Sequence, residues 1–338
     1  MNGAGTGALP SPPAGRLAAG IDVGGTKTAL VVCDDADRLL LREVVPTRPA
    51  DLAAQVIGLA GLAVDRLRSD GRQLAVVGVA VPGRVSPLEG TLALAVNLGA
   101  PSLPLADLVQ QATGLPCAVE HDARAAAAWL ATQPEYHARF LAYLSVGTGI
   151  SAGVVLDGRL LRGVGGLAGE VGHTLAELGG PRCACGLEGC LEAVAAGPAI
   201  ARRAQEAMRA GRQSSLAVDA TAAEVFRAAG GGDVLAAEIA DSAAGHLARA
   251  VRALVLAFGV ERVVIGGGLA AAGPALFDRL LAQLALERSA SPLIEDALSA
   301  TLIDLLPPAT EAGARGAAQI ALSGAMGRAT QREGVGST

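Results

Sequence analysis

Lysine is almost missing from this sequence. One of its 27 basic residues is lysine and the other 26 are arginine, and nowhere do they gather into a basic block. The formal charge is −5, so the chain offers little to a nucleic acid or an anionic membrane, and neither is expected as a partner. Aromatic residues are scarce as well, at 2% against 51% apolar residues overall, so the core must be built from Ala, Val, Leu and Ile. No apolar run reaches the roughly 18 residues that a membrane span needs. The most apolar helical stretch, residues 242–258, is interrupted by Arg249 and Arg252 and reads as a buried helix. Residues 1–15 (MNGAGTGALPSPPAG) lack the basic and apolar segments of a signal peptide and read as part of a disordered tail. Cysteines number five, an odd count, and three of them fall between 183 and 190. That spacing suits a metal better than disulfides and fits a reducing, cytoplasmic compartment.

The clustered cysteines belong to residues 169–192, GEVGHTLAELGGPRCACGLEGCLE. His173, Cys183, Cys185 and Cys190 supply one nitrogen and three sulfurs, a full tetrahedral set for Zn²⁺ from a single loop. With no position left for a reacting water, such a zinc is structural. Two acids, Glu170 and Glu192, flank the ligands. Each alone is an ordinary surface carboxylate or a helix-start acid favoured by the dipole. Set around a metal staple, they become candidates for ligand binding. Cys33 and Cys117 sit in strand-like runs and read as core.

At 338 residues the chain exceeds one typical domain, and two lobes are expected. Residues 17–22 (LAAGID) and 28–33 (TALVVC) are short apolar runs joined by Val23, Gly24, Gly25, Thr26 and Lys27, which reads as a β-hairpin. A Walker loop would place Gly next to Lys and open a helix, whereas Thr26 intervenes and a strand follows. Glycine N–H groups can still turn toward a phosphate, and Asp22 at the strand end can face magnesium. An ordinary Gly-Gly hairpin is the alternative. The single lysine, Lys27, lies in this turn, where a compact ammonium suits a phosphate.

A similar hairpin spans 139–156 around Gly147, Thr148 and Gly149. Its GTGISA matches a dinucleotide fingerprint in letters only, because a strand follows where a helix is required. Two such hairpins suggest two half-units facing each other across a cleft. Gly266, Gly267 and Gly268, after a strand at 262–265, would let a flat ligand lie on the backbone. Periodicity places helices at 52–67, 103–112, 123–130, 193–210, 220–229, 242–258, 274–286 and 314–323, and further strands at 74–81, 117–120 and 301–305. Pro82-Gly83 and Asn97-Leu98-Gly99 are turns. Asp122 stands where the strand at 117–120 hands over to a helix. Such an Asp is most often a plain N-cap. The functional alternative is a general base at the carboxyl end of a strand.

Four segments, DVGGTK (22–27), EHDARA (120–125), SVGTGISAG (145–153) and EVGHT…CACGLEGCLE (170–192), resemble the ROK family of sugar kinases, within the actin/hexokinase-like ATPase superfamily. The resemblance runs from about Leu17 through nearly the whole chain, and its cysteine segment is highly specific. It implies a two-lobed α/β fold of actin/hexokinase-like type with a structural zinc loop. The implied division is a small domain of residues 17–134 plus about 313–326 and a large domain of 135–312, with disordered tails at 1–16 and 327–338. It further implies ATP, Mg²⁺ and structural Zn²⁺, and a homodimer with a tetramer as the alternative. Residue by residue, Asp22, Gly24, Gly25, Thr26, Lys27, Gly147, Thr148 and Gly149 would hold phosphates, and Gly266, Gly267 and Gly268 would lie under adenosine. Asp122 would be the general base. Gly83, Asn97, His121, Asp122, Glu170, His173 and Glu192 would contact the sugar, with His173 shared with zinc. The implied reaction phosphorylates the 6-hydroxyl of N-acetylglucosamine first, then of glucose or N-acetylmannosamine.

The sequence departs from the family pattern in one segment. Many members read Glu-Asn-Asp-Ala-Asn where this chain has Glu120, His121, Asp122, Ala123 and Arg124. The acid is kept, but an imidazole is larger than an amide and places its donor and acceptor differently. Sugar preference therefore turns on His121, and Arg124 has no assigned role. The family also contains sugar-sensing regulators with an N-terminal helix-turn-helix, for which the roughly 16 residues before the first strand are too few. A zinc-knuckle module is a third reading, but the loop has one basic residue, Arg182, and no aromatic platform for bases.

Overall fold

In strand β1 (Leu17–Val23) successive side chains point to opposite faces, and the two faces receive different residues. Leu17, Ala19, Ile21 and Val23 pack with helices α1 (Leu52–Ser69) and α2 (Leu105–Thr113). Ala18 packs instead with Ala318 and Ala321 of α10 (Ala312–Glu333). The same alternation puts Asp22 on the α10 face, beside Gly313. These features are seen in a computed structural model that describes residues 15–87, 89–94 and 102–333; Asn97 and its turn lie outside the described residues.

A glycine turn carries β1 into β2 (Lys27–Asp34), and β3 (Leu39–Pro46) follows, all antiparallel. Strands β4 (Leu74–Val81) and β7 (Cys117–His121) add in parallel, giving the order β3-β2-β1-β4-β7. Between them lies a short hairpin of β5 (Arg84–Ser86) and β6 (Thr91–Leu94). The second sheet repeats the plan. Strands β8 (Phe140–Val146) and β9 (Ile150–Leu156) form the glycine hairpin, β10 (Arg159–Leu160) extends it, and β11 (Arg262–Gly266) and β12 (Leu302–Leu305) add in parallel. The order is β10-β9-β8-β11-β12, so the echo between the two glycine hairpins is a repeat of topology.

Helix α3 (Asp122–Leu130) packs with α10 between the sheets. Ala123, Ala127 and Leu130 of α3 meet Leu141, Tyr143 and Val155 of the second sheet, while α10 covers β1 and β4 of the first. Small residues let these layers touch at backbone distance. A Cβ on Gly78 would lie 2.0 Å from the Ala317 carbonyl oxygen, and one on Gly153 would lie 2.2 Å from that of Ala123. The outer face of the second sheet is covered by α4 (Leu191–Ala195), α5 (Gly197–Arg209), α6 (Ala222–Gly230), α7 (Val234–Phe258), α8 (Pro274–Ala290) and α9 (Pro292–Ser299). No helix among the described residues is long and apolar enough to cross a membrane.

Four of the structure's departures from the sequence reading have clear local causes. The helix expected over 193–210 is two helices, because Ala196 is extended (φ −73°, ψ 159°) and Pro198 opens a new first turn. Helix α7 begins at Val234 rather than 242, since Asp233 caps it by accepting from the Ala236 N–H at 2.9 Å. Helix α10 runs to Glu333, through 327–333 that were expected to be disordered, because its Ala, Gln, Arg and Glu residues favour helix and no proline stops them. Strand β3 went unforeseen. It is a half-exposed edge strand without the continuous apolar run of a buried one.

Candidate functional site

The tips of the two glycine hairpins meet. A Cβ on Gly25 would lie 2.8 Å from Thr148 Oγ1. Around this contact opens a cavity of about 820 Å³. Gly24, Thr26 and Lys27 line it from one hairpin, Gly147 and Gly149 from the other, and Gly266, Gly267 and Gly268 from the end of β11. All three glycine turns singled out in the sequence therefore face one space.

Asp22 sits deep in the fold but opens onto this cavity. Burial first, then the charges of Asp122 and Glu311, push its carboxyl up to about 7, against a smaller pull from Lys27. A carboxylate so poorly compensated, with hard oxygen donors around it, fits a magnesium ion. Glu311 was not anticipated. It is 9% exposed, its Oε1 lies 2.6 Å from an Arg42 guanidinium nitrogen and 3.9 Å from Lys27 Nζ, and it belongs to a wall running from Leu306 to Gly313. Ala309 and Glu311 hold left-handed backbone (φ 62° and 54°), a conformation rare outside glycine and frequent at functional sites. The letters PPATEAG reveal only a loop, because neither left-handed residue is a glycine.

Strand β7 pairs in parallel with β4, His121 opposite Val81, and delivers Asp122 as the first residue of α3. Asp122 is not a plain N-cap. Its Oδ1 accepts the N–H of the adjacent Ala123 at 2.6 Å, and among the described residues no donor bonds Oδ2. The His121 side chain is 3% exposed, with Nδ1 3.2 Å from Asp122 Oδ1 and Nε2 3.6 Å from Glu170 Oε1. Gly83, His121, Asp122, Glu170, His173 and Glu192 all line the cavity. Glu192, in the first turn of α4, also accepts the Ile150 N–H at 2.9 Å, which ties the end of the cysteine loop to the second glycine hairpin.

His173, Cys183, Cys185 and Cys190 bring their ligand atoms within 4.8 Å of one another. Cys185 Sγ lies 3.7 Å from Cys190 Sγ, and Cys183 Sγ lies 3.7 Å from His173 Nδ1. A tetrahedral centre with Zn–S near 2.3 Å sets ligand separations of about 3.7 Å, so the donor set and spacing fit zinc. Nδ1 of His173 faces the sulfurs, and the ring also lines the cavity, which leaves Nε2 for a ligand there. Cys185 borders the cavity; Cys183 and Cys190 do not.

Arg124 gains a place. Fully buried, it donates from Nε to Glu120 Oε1 at 2.8 Å and from one terminal nitrogen to the Gly166 and Ala168 carbonyls at 2.7 and 3.2 Å. Arg162 Nε donates to Glu120 Oε2 at 2.6 Å. This cluster, buried at Glu120 and Arg124, clamps the loop that carries Glu170 against the helix that carries Asp122.

The cavity thus has a phosphate-suited wall of glycine turns and a wall of carboxylates and imidazoles, with Asp122 between them. Comparison with known proteins agrees. The protein-family model described as ROK family matches residues 18–323. The glucokinase of Halalkalibacterium halodurans is 35% identical over 275 residues, 77% of this chain and 83% of that protein. The N-acetylmannosamine kinase of Citrobacter koseri is 36% identical over 258 residues, 74% of this chain and 82% of that protein. Among solved structures, a ROK family glucokinase from Streptomyces griseus in complex with glucose and AMPPNP superposes with a TM-score of 0.77 at 27% identity, covering 91% of this chain and 99% of that one.

Proposed function

The chain belongs to the ROK family, and from that premise we propose that it is a sugar kinase moving the terminal phosphoryl group of ATP to the 6-hydroxyl of a hexose or N-acetylhexosamine. The observation that carries this reading is Asp122, at the mouth of α3, with Oδ2 open toward a cavity that has both walls the reaction needs. Oδ2 takes the proton of the sugar hydroxyl as that oxygen attacks the terminal phosphorus, a contribution of roughly 10²–10⁴-fold. Most of the remaining acceleration is positioning and charge stabilisation. The three glycine turns offer backbone N–H groups to phosphate oxygens, and Lys27 adds an ammonium. Asp22 would hold Mg²⁺, which when bound supplies positive charge against the phosphates.

On the other wall, Glu170 and Glu192 accept from vicinal hydroxyls and His173 presents Nε2. His173, Cys183, Cys185 and Cys190 would hold zinc, which fixes that imidazole in place. The candidate sugars are N-acetylglucosamine, from the resemblance of residues 165–186 to N-acetylhexosamine kinases, and glucose and N-acetylmannosamine, the sugars for which the curated relatives are named. We further propose that residues 17–134 with 313–326 and residues 135–312 act as the two closing lobes, in a homodimer that sedimentation velocity would detect. An ADP-release assay with ATP and Mg²⁺ over a panel of hexoses and N-acetylhexosamines tests the function. At least one sugar should raise ADP release well above the sugar-free rate; none doing so would refute the reading.

A further inference from the structure

One buried polar atom beside Asp122 has no hydrogen-bond partner. It is His121 Nδ1. Its ring is 3% exposed, and Asp122 Oδ1 lies 3.2 Å away, close enough to bond but not aligned for it. An unprotonated Nδ1, itself shielded from solvent, would set its lone pair against those of Oδ1 and stay unsatisfied. A proton on Nδ1 removes that conflict, and a small rotation of the carboxylate completes the bond.

The ring itself has little freedom. His121 ends β7, and its backbone N–H donates to Glu120 Oε1 at 2.9 Å. Glu120 is held in turn by Arg124 and Arg162. On its far side, Nε2 faces Glu170 Oε1 at 3.6 Å. An ion cluster centred on buried Glu120 and Arg124 therefore anchors the backbone that carries the imidazole, and the imidazole abuts one oxygen of Asp122.

We propose that His121 is a positioning residue whose Nδ1–H locks Asp122 through Oδ1. That oxygen already accepts from the Ala123 N–H, so the second bond fixes the carboxylate plane and leaves Oδ2 alone to meet the substrate hydroxyl. The proposal rests on the phosphotransfer reading of Asp122 given above. Without the lock the carboxylate turns, and displacements near 1 Å at a reacting group cost up to about 100-fold in rate.

Two variants and one spectrum test it. His121→Phe fills the space without a donor; kcat should fall about 10- to 100-fold while the sugar KM moves little. His121→Asn restores a donor on a smaller side chain and should recover much of that kcat. A raised KM with kcat preserved in His121→Phe would make His121 a sugar contact only and would overturn the proposal, as would failure of Asn to outperform Phe. Independently of turnover, long-range ¹H–¹⁵N NMR of the zinc-loaded wild type at neutral pH reads the protonation of its four histidine rings. The His121 ring, assigned by its disappearance in His121→Asn, should carry its proton on Nδ1. A proton on Nε2 alone would refute the lock. If the wild type phosphorylates no sugar, the kinase reading falls, and the spectrum still decides the hydrogen bond.

Discussion

Asp22 and Asp122 line the cavity and Glu120 lies buried behind it, and the surroundings of these three acids separate their roles. Glu120 is buried, which alone would raise its pKa, but Arg124 and then Arg162 outweigh the burial and hold it below the ordinary 4.5. Its contribution to stability is therefore complete above that ordinary value and is lost as pH falls through the lower folded value. Glu120→Ala should cost roughly 3–5 kcal/mol in urea unfolding at neutral pH, because it strands buried arginine charge. Glu120→Gln should flatten the acid limb of the stability curve, and an unchanged limb would show that the cluster is not what titrates. Asp22 is the opposite case, raised to about 7 by burial and like charges. Magnesium must displace its proton, so calorimetric affinity should rise as pH climbs from 6 toward 8 and level off above, with proton release. A pH-independent affinity would place the ion elsewhere. That Asp122, Glu170 and His173 belong to one place was legible in the sequence through short motifs, and all three line the cavity. The task of Arg124 was not, because its carbonyl partner Gly166 lies 42 residues away.

Two elements carry the site, the cysteine loop and the pair of crossing helices. The loop was legible because its ligands are local in sequence and their chemistry is narrow. It predicts one zinc per chain by mass spectrometry of the native protein. Chelation, or Cys190→Ser, should lower the melting temperature and, on the proposed reading that His173 serves both groups, raise the sugar KM about tenfold or more. An unchanged KM after zinc removal would separate the two roles. The crossing of α10 over β4 depends on Gly78, where a side chain would strike the Ala317 carbonyl. Gly78→Ala should destabilise by roughly 1–3 kcal/mol through overpacking, and a neutral result in thermal unfolding would mean that the helix can shift freely. Helix ends and the edge strand β3 were less legible, because caps and exposed edges leave weak periodic signals.

The whole molecule is built from two sheets of matching strand order, with α3 and α10 between them. The glycine hairpins hinted at the repeat, but the order β3-β2-β1-β4-β7 could not be read from the chain, since parallel neighbours are set by long crossovers. Nor could the far wall of the cavity be foreseen, because Glu311 reaches Asp22 only once the chain is folded. At this scale the net charge of −5 also predicts behaviour. Titration with duplex DNA at low salt should be flat, and salt-dependent binding would reopen a regulatory reading. The central claim, that this cavity phosphorylates a sugar with Asp122 as base, meets its most direct test in the turnover of Asp122→Asn with the best sugar from the panel. The account predicts a fall of roughly 10²–10⁴-fold with sugar still bound at near wild-type affinity. Turnover at the wild-type rate would contradict it.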